Sequence, residues 1–225
     1  MESGKLMEVR NHIFNGKEFQ IIKGTTHPEY SFFTFEGEER DFRDKHWGVK
    51  DGDVVFDVGA SYGTYTLSAC SMGATVFSFE PEKTVFKDLV NNIAINDWND
   101  KSYLFNFGLW DIKSRVNMKS YAPHWPEATI TSDYEMETLD SISDRYDLKK
   151  IDWMKIDVEG AEVKVITGGL NSIKKFLPNL IIECHTFLDP AIKDQVISLL
   201  SNEYDFEEVD RPPCVMLLGK PKKEV

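Results

Sequence analysis

The sequence predicts an α/β protein built on a mostly parallel sheet with helices on both faces. Three observations predict it. Short apolar runs alternate with amphipathic helical stripes from residue 54 to about residue 200. The first two runs end next to carboxylates, Asp57 and Glu80, as expected at the ends of central strands. The last two runs have no helical pattern between them and are expected to pair antiparallel.

The elements follow in order. Asn15-Gly16 between the apolar arms Ile13-Phe14 and Phe19–Ile22 is a hairpin turn signal. Tyr30 to Phe35 is aromatic and reads as a further strand or a lid, and Glu38 to His46 as a helix whose buried edge is Phe42 and Trp47. Asp51-Gly52-Asp53 breaks the chain before the first central strand, Val54–Val58, and a helix from Tyr62 to Met72 stops at Gly73. Thr75–Phe79 is the second strand, followed by a helix striped by Val85, Phe86, Leu89, Val90 and Ile93. Tyr103–Phe107 is the third strand. Residues 110–137 lack a clear period and read as an insert or loop with short strands. Trp153–Val158 is the fourth strand, succeeded by one helix carrying Val163, Ile166, Leu170 and Ile173. Leu180–Ile182 is the fifth. Asp189 and Pro190 sit as N-cap and first residue of a helix striped by Ile192, Val196, Ile197 and Leu200. Asp205–Val209 and Val215–Gly219 are the terminal strands. The chain thus divides into an entry segment over 1–49, a hairpin plus a helix packing on the core, and a main domain over 50–225 with its insert at 110–137.

Composition narrows the function. The chain has 225 residues, of which 41% are hydrophobic and 28% charged, suiting one globular domain with extensions. Its 26 basic against 38 acidic residues leave a net charge of −12, which repels phosphate backbones and argues against nucleic acid or an anionic membrane as partner. Three cysteines without a Cys-x-x-Cys pair offer neither a disulfide framework nor a zinc knuckle. Met1 to Arg10 is polar and no apolar run reaches the ~18 residues of a membrane span. The cytoplasm is therefore the expected compartment, and a monomer or homodimer the expected state.

The most informative stretch is the turn Asp57-Val58-Gly59-Ala60-Ser61-Tyr62-Gly63. Gly59 and Gly63 carry no Cβ, so a ligand can approach the backbone there, with Ala60 and Ser61 completing the cradle. The spacing is G-x-x-x-G, unlike the G-x-G-x-x-G of dinucleotide binders. A carboxylate at Asp57 would repel a pyrophosphate but suits an ammonium. Glu80, 21 residues past Gly59, stands where a carboxylate grips ribose hydroxyls. A nucleoside with a cationic amino-acid end fits both, and S-adenosylmethionine is that ligand. The plainer alternative is that these residues are strand-end caps and ordinary turns.

The turn, then Phe79-Glu80-Pro81, Asn91-Asn92-Ile93, Thr138-Leu139-Asp140, Lys155-Ile156-Asp157-Val158-Glu159-Gly160-Ala161-Glu162 and Glu183 resemble, in this order, the FkbM-type methyltransferase family over roughly residues 50–187. Ser61 departs from the asparagine frequent in that family. The resemblance implies a class I, Rossmann-like fold with a seven-stranded sheet and S-adenosylmethionine as donor. It also implies O-methylation of a hydroxyl on a small molecule, sugar or glycan. By analogy with the class I fold, Phe107 and Gly108 are expected beside adenine.

On the fourth strand, period-2 alternation places Lys155, Asp157 and Glu159 on one face. Asp157 is the first candidate for general base or acceptor-binding carboxylate and Glu159 the second. Lys155 and Glu162 alternatively close a structural ion pair. Glu183 and His185 share a face of the fifth strand, and a neutral His185 is a third candidate base. Asp157, Glu183 and His185 together permit a divalent cation without demanding one. Tyr121, His124 and Trp125 in the insert suit stacking on a sugar face, with His124 as an alternative base, or a plain apolar plug. Two other readings stay open, a nicotinamide-dependent oxidoreductase on a Rossmann fold and a noncatalytic methyltransferase-like binding protein.

Overall fold

Asn15 and Gly16 both adopt positive φ, 47° and 77°, the geometry whose twist matches a two-residue hairpin. They join β1 (Val9–Phe14) to β2 (Lys17–Ile22) as an antiparallel pair. The computed structural model describes residues 8–24, 35–120 and 130–222, without the side chains of 117–120 and 130–133. One face of the hairpin buries Phe14, Phe19 and Ile21, in the same apolar cluster as Val55, Leu67 and Leu89 of the main body. Asn92 ties the two together: its Oδ1 accepts from Ile22 N at 2.7 Å and its Nδ2 donates to Tyr62 O at 2.9 Å. Helix α1 (Gly37–His46) follows, with Phe42 and the succeeding Trp47 buried as expected.

The central strands are β3 (Val54–Val58), β4 (Thr75–Phe79), β5 (Ser102–Phe105), β9 (Trp153–Ile156), β10 (Asn179–Cys184), β11 (Tyr204–Arg211) and β12 (Cys214–Pro221). They lie in the order β11-β12-β10-β9-β3-β4-β5. The five from β10 to β5 are parallel, and the final pair runs antiparallel, β12 against β10 and β11 against β12. Alternation along β3 sends Val55 and Asp57 to one face and Phe56 and Val58 to the other, so both faces can be covered. Helices α2 (Thr64–Ser71) and α3 (Lys83–Ile95) follow β3 and β4. On the face of Phe56, the cluster takes in Ile142, Val165, Ile173 and Val196. These come from α4 (Leu139–Arg145), α5 (Glu162–Gly168), α6 (Leu170–Phe176) and α7 (Ile192–Leu200). The chain passes from the β3–β4–β5 half back to β9 on the other side of β3, which makes the gap between β3 and β9 the switch point where open sheets keep their ligands.

The short strands expected in the insert form a second, three-stranded sheet. β6 (Gly108–Leu109) pairs parallel with β8 (Ile130–Glu137), and β8 pairs antiparallel with β7 (Ser114–Ser120). The single helix expected after the fourth strand is two helices, broken at Gly168-Gly169. A Cβ on Gly168 would stand 1.9 Å from Trp110 O, so the helix gives way where that backbone crosses it. Asp189 is not the cap of α7. Its Oδ1 accepts from Ala191 N at 2.9 Å within a preceding turn, and the helix starts at Ile192. No helix among the described residues is long and apolar enough to cross a membrane.

Candidate functional site

A cavity of about 210 Å³ opens at the carboxyl ends of β3, β4 and β9. Val58, Gly59, Phe79, Glu80, Pro81 and Glu82 form one wall, Gly108, Leu109, Trp110, Tyr134 and Met136 a second, and Asp157, Val158, Glu159 and Ala161 a third.

Glu80 is held rigidly at the first wall. Its Oε2 accepts from Ser61 N at 3.0 Å and its Oε1 from Glu82 N at 2.9 Å, which leaves each oxygen a lone pair for a ligand. Burial lifts its carboxyl to about 7 against the pull of those two N–H groups. Ser61 meets Glu80 by adopting a φ of 50°.

The backbone N–H groups of the remaining turn residues have structural partners, while Gly59 itself lines the cavity. Gly59 N and Ala60 N both donate to Phe79 O at 3.0 Å, and Gly63 N donates to Ala60 O at 2.8 Å. Gly59, at φ 78°, is a glycine because a Cβ would stand 1.8 Å from Asp157 O. At Gly63 the obstruction is Leu89, 2.7 Å from the same hypothetical atom. With these N–H groups engaged, Gly59, Ala60, Ser61 and Gly63 offer a pyrophosphate no backbone donor, which counts against the nicotinamide reading.

Asp57 does not line the cavity. It is fully buried on the α2 face, where Oδ2 accepts from Thr66 Oγ1 at 2.6 Å, and Thr66 Oγ1 in turn meets Ser78 Oγ at 2.8 Å. Burial raises its carboxyl, opposed by Lys155, whose Nζ lies 3.8 Å from Oδ1. A direct contact with a ligand ammonium is therefore not available to it. Phe107 is likewise off the cavity, packed against Phe79 and Phe105, while Gly108 lies on the wall.

The third wall departs from simple alternation because β9 ends at Ile156 and Glu159 takes a φ of 51°. The turn still gathers the acids. Lys155 Nζ stands 3.1 Å from Asp157 Oδ2 and donates to Gly59 O at 2.9 Å. His185 Nε2 lies 3.6 Å from Asp157 Oδ1 and 3.5 Å from Glu159 Oε2. Its Nδ1 is 2.6 Å from Oε1 of Glu162, which is fully buried. Lys155 and Glu162 do not meet directly but are linked in one network, Lys155 with Asp157, Asp157 with His185 and His185 with Glu162.

Charge then sorts the candidates. Burial would raise Asp157, but Lys155 and then His185 outweigh it and hold the carboxyl below its usual range. Partial burial and the neighbouring Asp157 charge lift Glu159 to about 7. Burial, then Asp157, lift Glu183 to about 7 as well. Burial pulls the His185 imidazole down, yet the Glu162 hydrogen bond and the charges of Asp157, Glu162 and Glu159 prevail and carry it to about 9. The carboxylates around His185 thus favour the imidazolium over the neutral imidazole that a base role calls for.

The cation trio of Asp157, Glu183 and His185 is not what the fold assembles. Ligand-capable atoms lie within 4.8 Å in two other groups, Asp157 with Glu159 and His185, and Glu183 with His185 and Cys214. Both groups share His185, whose Nδ1 is already engaged by Glu162, and Lys155 already supplies a cation to Asp157, so a divalent ion finds no independent support here. Tyr30, Tyr121, His124 and Trp125 lie outside the described residues. The residues that sequence reasoning passed over on the walls are Trp110, Tyr134, Met136 and Glu82. The inward alternation of Tyr134 and Met136 around exposed Glu135 was the available signal.

A family model described as the methyltransferase FkbM domain matches residues 57–211. Hexuronic acid methyltransferase AglP of Haloferax volcanii is 31% identical over 159 residues, covering 67% of this chain and 63% of that protein. A solved methyltransferase FkbM from Methylobacillus flagellatus superposes with a TM-score of 0.61 at 18% identity over 79% of this chain and 46% of the other. The fibrillarin pre-rRNA processing protein of Methanococcus jannaschii gives 0.55 at 14% identity over 100% and 93%. The two structures share the fold. This chain spans under two thirds of AglP and about half of the solved FkbM protein.

Proposed function

The chain belongs to the FkbM methyltransferase domain family, and from that membership we propose that it moves a methyl group from S-adenosylmethionine to a sugar hydroxyl. The observation that carries the donor assignment is Glu80, a cavity carboxylate fixed by Ser61 N and Glu82 N with one lone pair per oxygen turned to ribose hydroxyls. Gly108 with Leu109 and Pro81 forms the apolar slot for the adenine. The acidic third wall suits a sulfonium and a neutral hydroxyl. The AglP similarity supports a carbohydrate acceptor.

When bound, the donor supplies an electrophilic methyl on sulfur. Glu159 takes the hydroxyl proton as the acceptor oxygen bonds to that methyl, the carbon–sulfur bond breaks, and its electron pair stays on sulfur. Glu159 is preferred to Asp157 because its carboxyl sits near neutrality and half-exposed on the cavity wall, where a base operates best. Asp157, kept ionised by Lys155, accepts a neighbouring acceptor hydroxyl and orients the sugar. A well-oriented acceptor accounts for ~7–11 kcal/mol of barrier reduction when fully realised.

The test is transfer of an isotopically labelled donor methyl to a panel of neutral hexosides and hexuronates, beside calorimetric donor binding. Label in a saccharide ether is the expected result. No donor binding at millimolar concentration ends the reading, and binding without transfer to any saccharide favours the noncatalytic protein.

A further inference from the structure

We propose that Glu162 is a positioning residue for the transfer, fixing the His185 ring so that its Nε2–H stands between Asp157 and Glu159. The inference rests on the methyltransferase reading above and adds a residue that touches neither donor nor acceptor.

Glu162 opens α5 one residue after Ala161 of the cavity wall, and it is fully buried. A carboxylate is costly to bury unless a cation and hydrogen bonds compensate. Here Oε1 accepts from Gly160 N at 3.1 Å and meets His185 Nδ1 at 2.6 Å, while Oε2 is buried without a hydrogen-bond partner. An oxygen so placed accepts the Nδ1 proton. That fixes which way the imidazole faces, since the second ring nitrogen must then point away from Glu162. The direction it takes is into the pair Asp157 Oδ1 and Glu159 Oε2, at 3.6 and 3.5 Å.

The groups facing His185 come from every neighbouring element. Glu162 belongs to α5, Asp157 and Glu159 to the turn after β9, Glu183 to its own strand β10, and Cys214 to β12. Phe187 packs edge-on at 5.8 Å between ring centroids. Lys155 of β9 and Arg211 of β11 reach the site through Asp157. Carboxylates dominate this shell, so the ring is held as a cation bridging the two acids of the third wall. Removing the charge of Glu162 frees the ring to lose its proton and turn. Above its lowered midpoint the ring no longer stands as a cation between Asp157 and Glu159, and the third wall loses its fixed arrangement.

The test uses the whole chain, with Glu162→Gln and Glu162→Asp, and follows the His185 ring nitrogens by NMR across pH together with kcat and KM. In Glu162→Gln the His185 midpoint should fall from about 9 by at least about one unit. At pH above the lowered midpoint kcat should drop roughly tenfold relative to wild type with the donor KM unchanged. Glu162→Asp, which keeps the charge, should recover part of both. A folded Glu162→Gln protein with an unmoved His185 midpoint overturns the proposal. Should that variant not fold, the unsubstituted protein decides: a His185 already neutral at pH 7 overturns it. The NMR titration needs no substrate, so a chain that shifts its His185 midpoint yet transfers no methyl group counts against the functional reading alone.

Discussion

Replacing Glu80 by glutamine should weaken donor binding and remove the part of its pH dependence that Glu80 supplies. Both carboxylate oxygens already take one backbone N–H, from Ser61 and Glu82, so each has one position left for a ribose hydroxyl. Losing one charge-assisted contact costs ~1.5–3 kcal/mol, or roughly 10–100-fold in Kd. Burial has lifted the Glu80 carboxyl to about 7. The wild-type affinity for S-adenosylhomocysteine should therefore decline as pH falls below 7, by up to roughly tenfold per unit. The glutamine variant should start weaker at pH 8 and show no such decline from position 80. The α-amino group of the ligand titrates identically in both proteins, so the difference between the two calorimetric curves over pH 5.5–8.5 isolates Glu80. A second readout is stability. A buried carboxyl whose folded pKa exceeds its unfolded 4.5 stabilises the fold only at low pH, and that stabilisation is lost as pH rises from 4.5 to 7. The loss is of order 3 kcal/mol and absent in the variant. Parallel affinity curves, or a variant within about twofold of wild type at pH 8, would refute the ribose assignment.

Other expectations concern the scaffold. Gly59→Ala places a Cβ against the Asp157 carbonyl at a positive φ, so urea denaturation should show a loss above ~3 kcal/mol, with a loss under ~1 kcal/mol excluding the close crossing. Lys155→Met strands Asp57 in the interior without its cation and should cost ~3–5 kcal/mol, partly restored by adding Asp57→Asn. An unchanged midpoint for the single variant contradicts the pairing. Asn92→Ala removes partners from Ile22 N and Tyr62 O. A loss of ~2–5 kcal/mol and faster amide exchange in β2 are expected, whereas unaltered protection there argues that the hairpin is held by packing alone.

Legibility in the sequence followed the range of the forces involved. β3 and β4 were readable because continuous apolar runs and their terminal Asp57 and Glu80 are local patterns. The hairpin was readable from Asn15-Gly16 for the same reason. The division of the fifth helix was not, since its cause is the Trp110 backbone, distant in sequence from Gly168. Asp57 looked like a ligand contact because it borders the turn. The pleat sends it to the face where Thr66 and Lys155 wait, which needs the register of β3 against its neighbours. Likewise the acids of the fourth strand were found, but their partners were exchanged. Lys155 and Glu162 are seven residues apart in one string, and only the approach of β10 decides that Glu162 meets His185 instead.

The break at Gly168-Gly169 reaches further than the helix it interrupts. Trp110 lies on the cavity wall and its carbonyl rests where a side chain at 168 would begin. The width of the cavity on that side is therefore set from behind, by an atom missing from a helix that never touches the ligand space. A methyl group added there cannot be accommodated by a side-chain turn, because the obstructing atom is backbone, so the wall and the helix must move together. Residues chosen from the lining alone would overlook this coupling, in which a glycine outside the site holds one wall of the cavity in place.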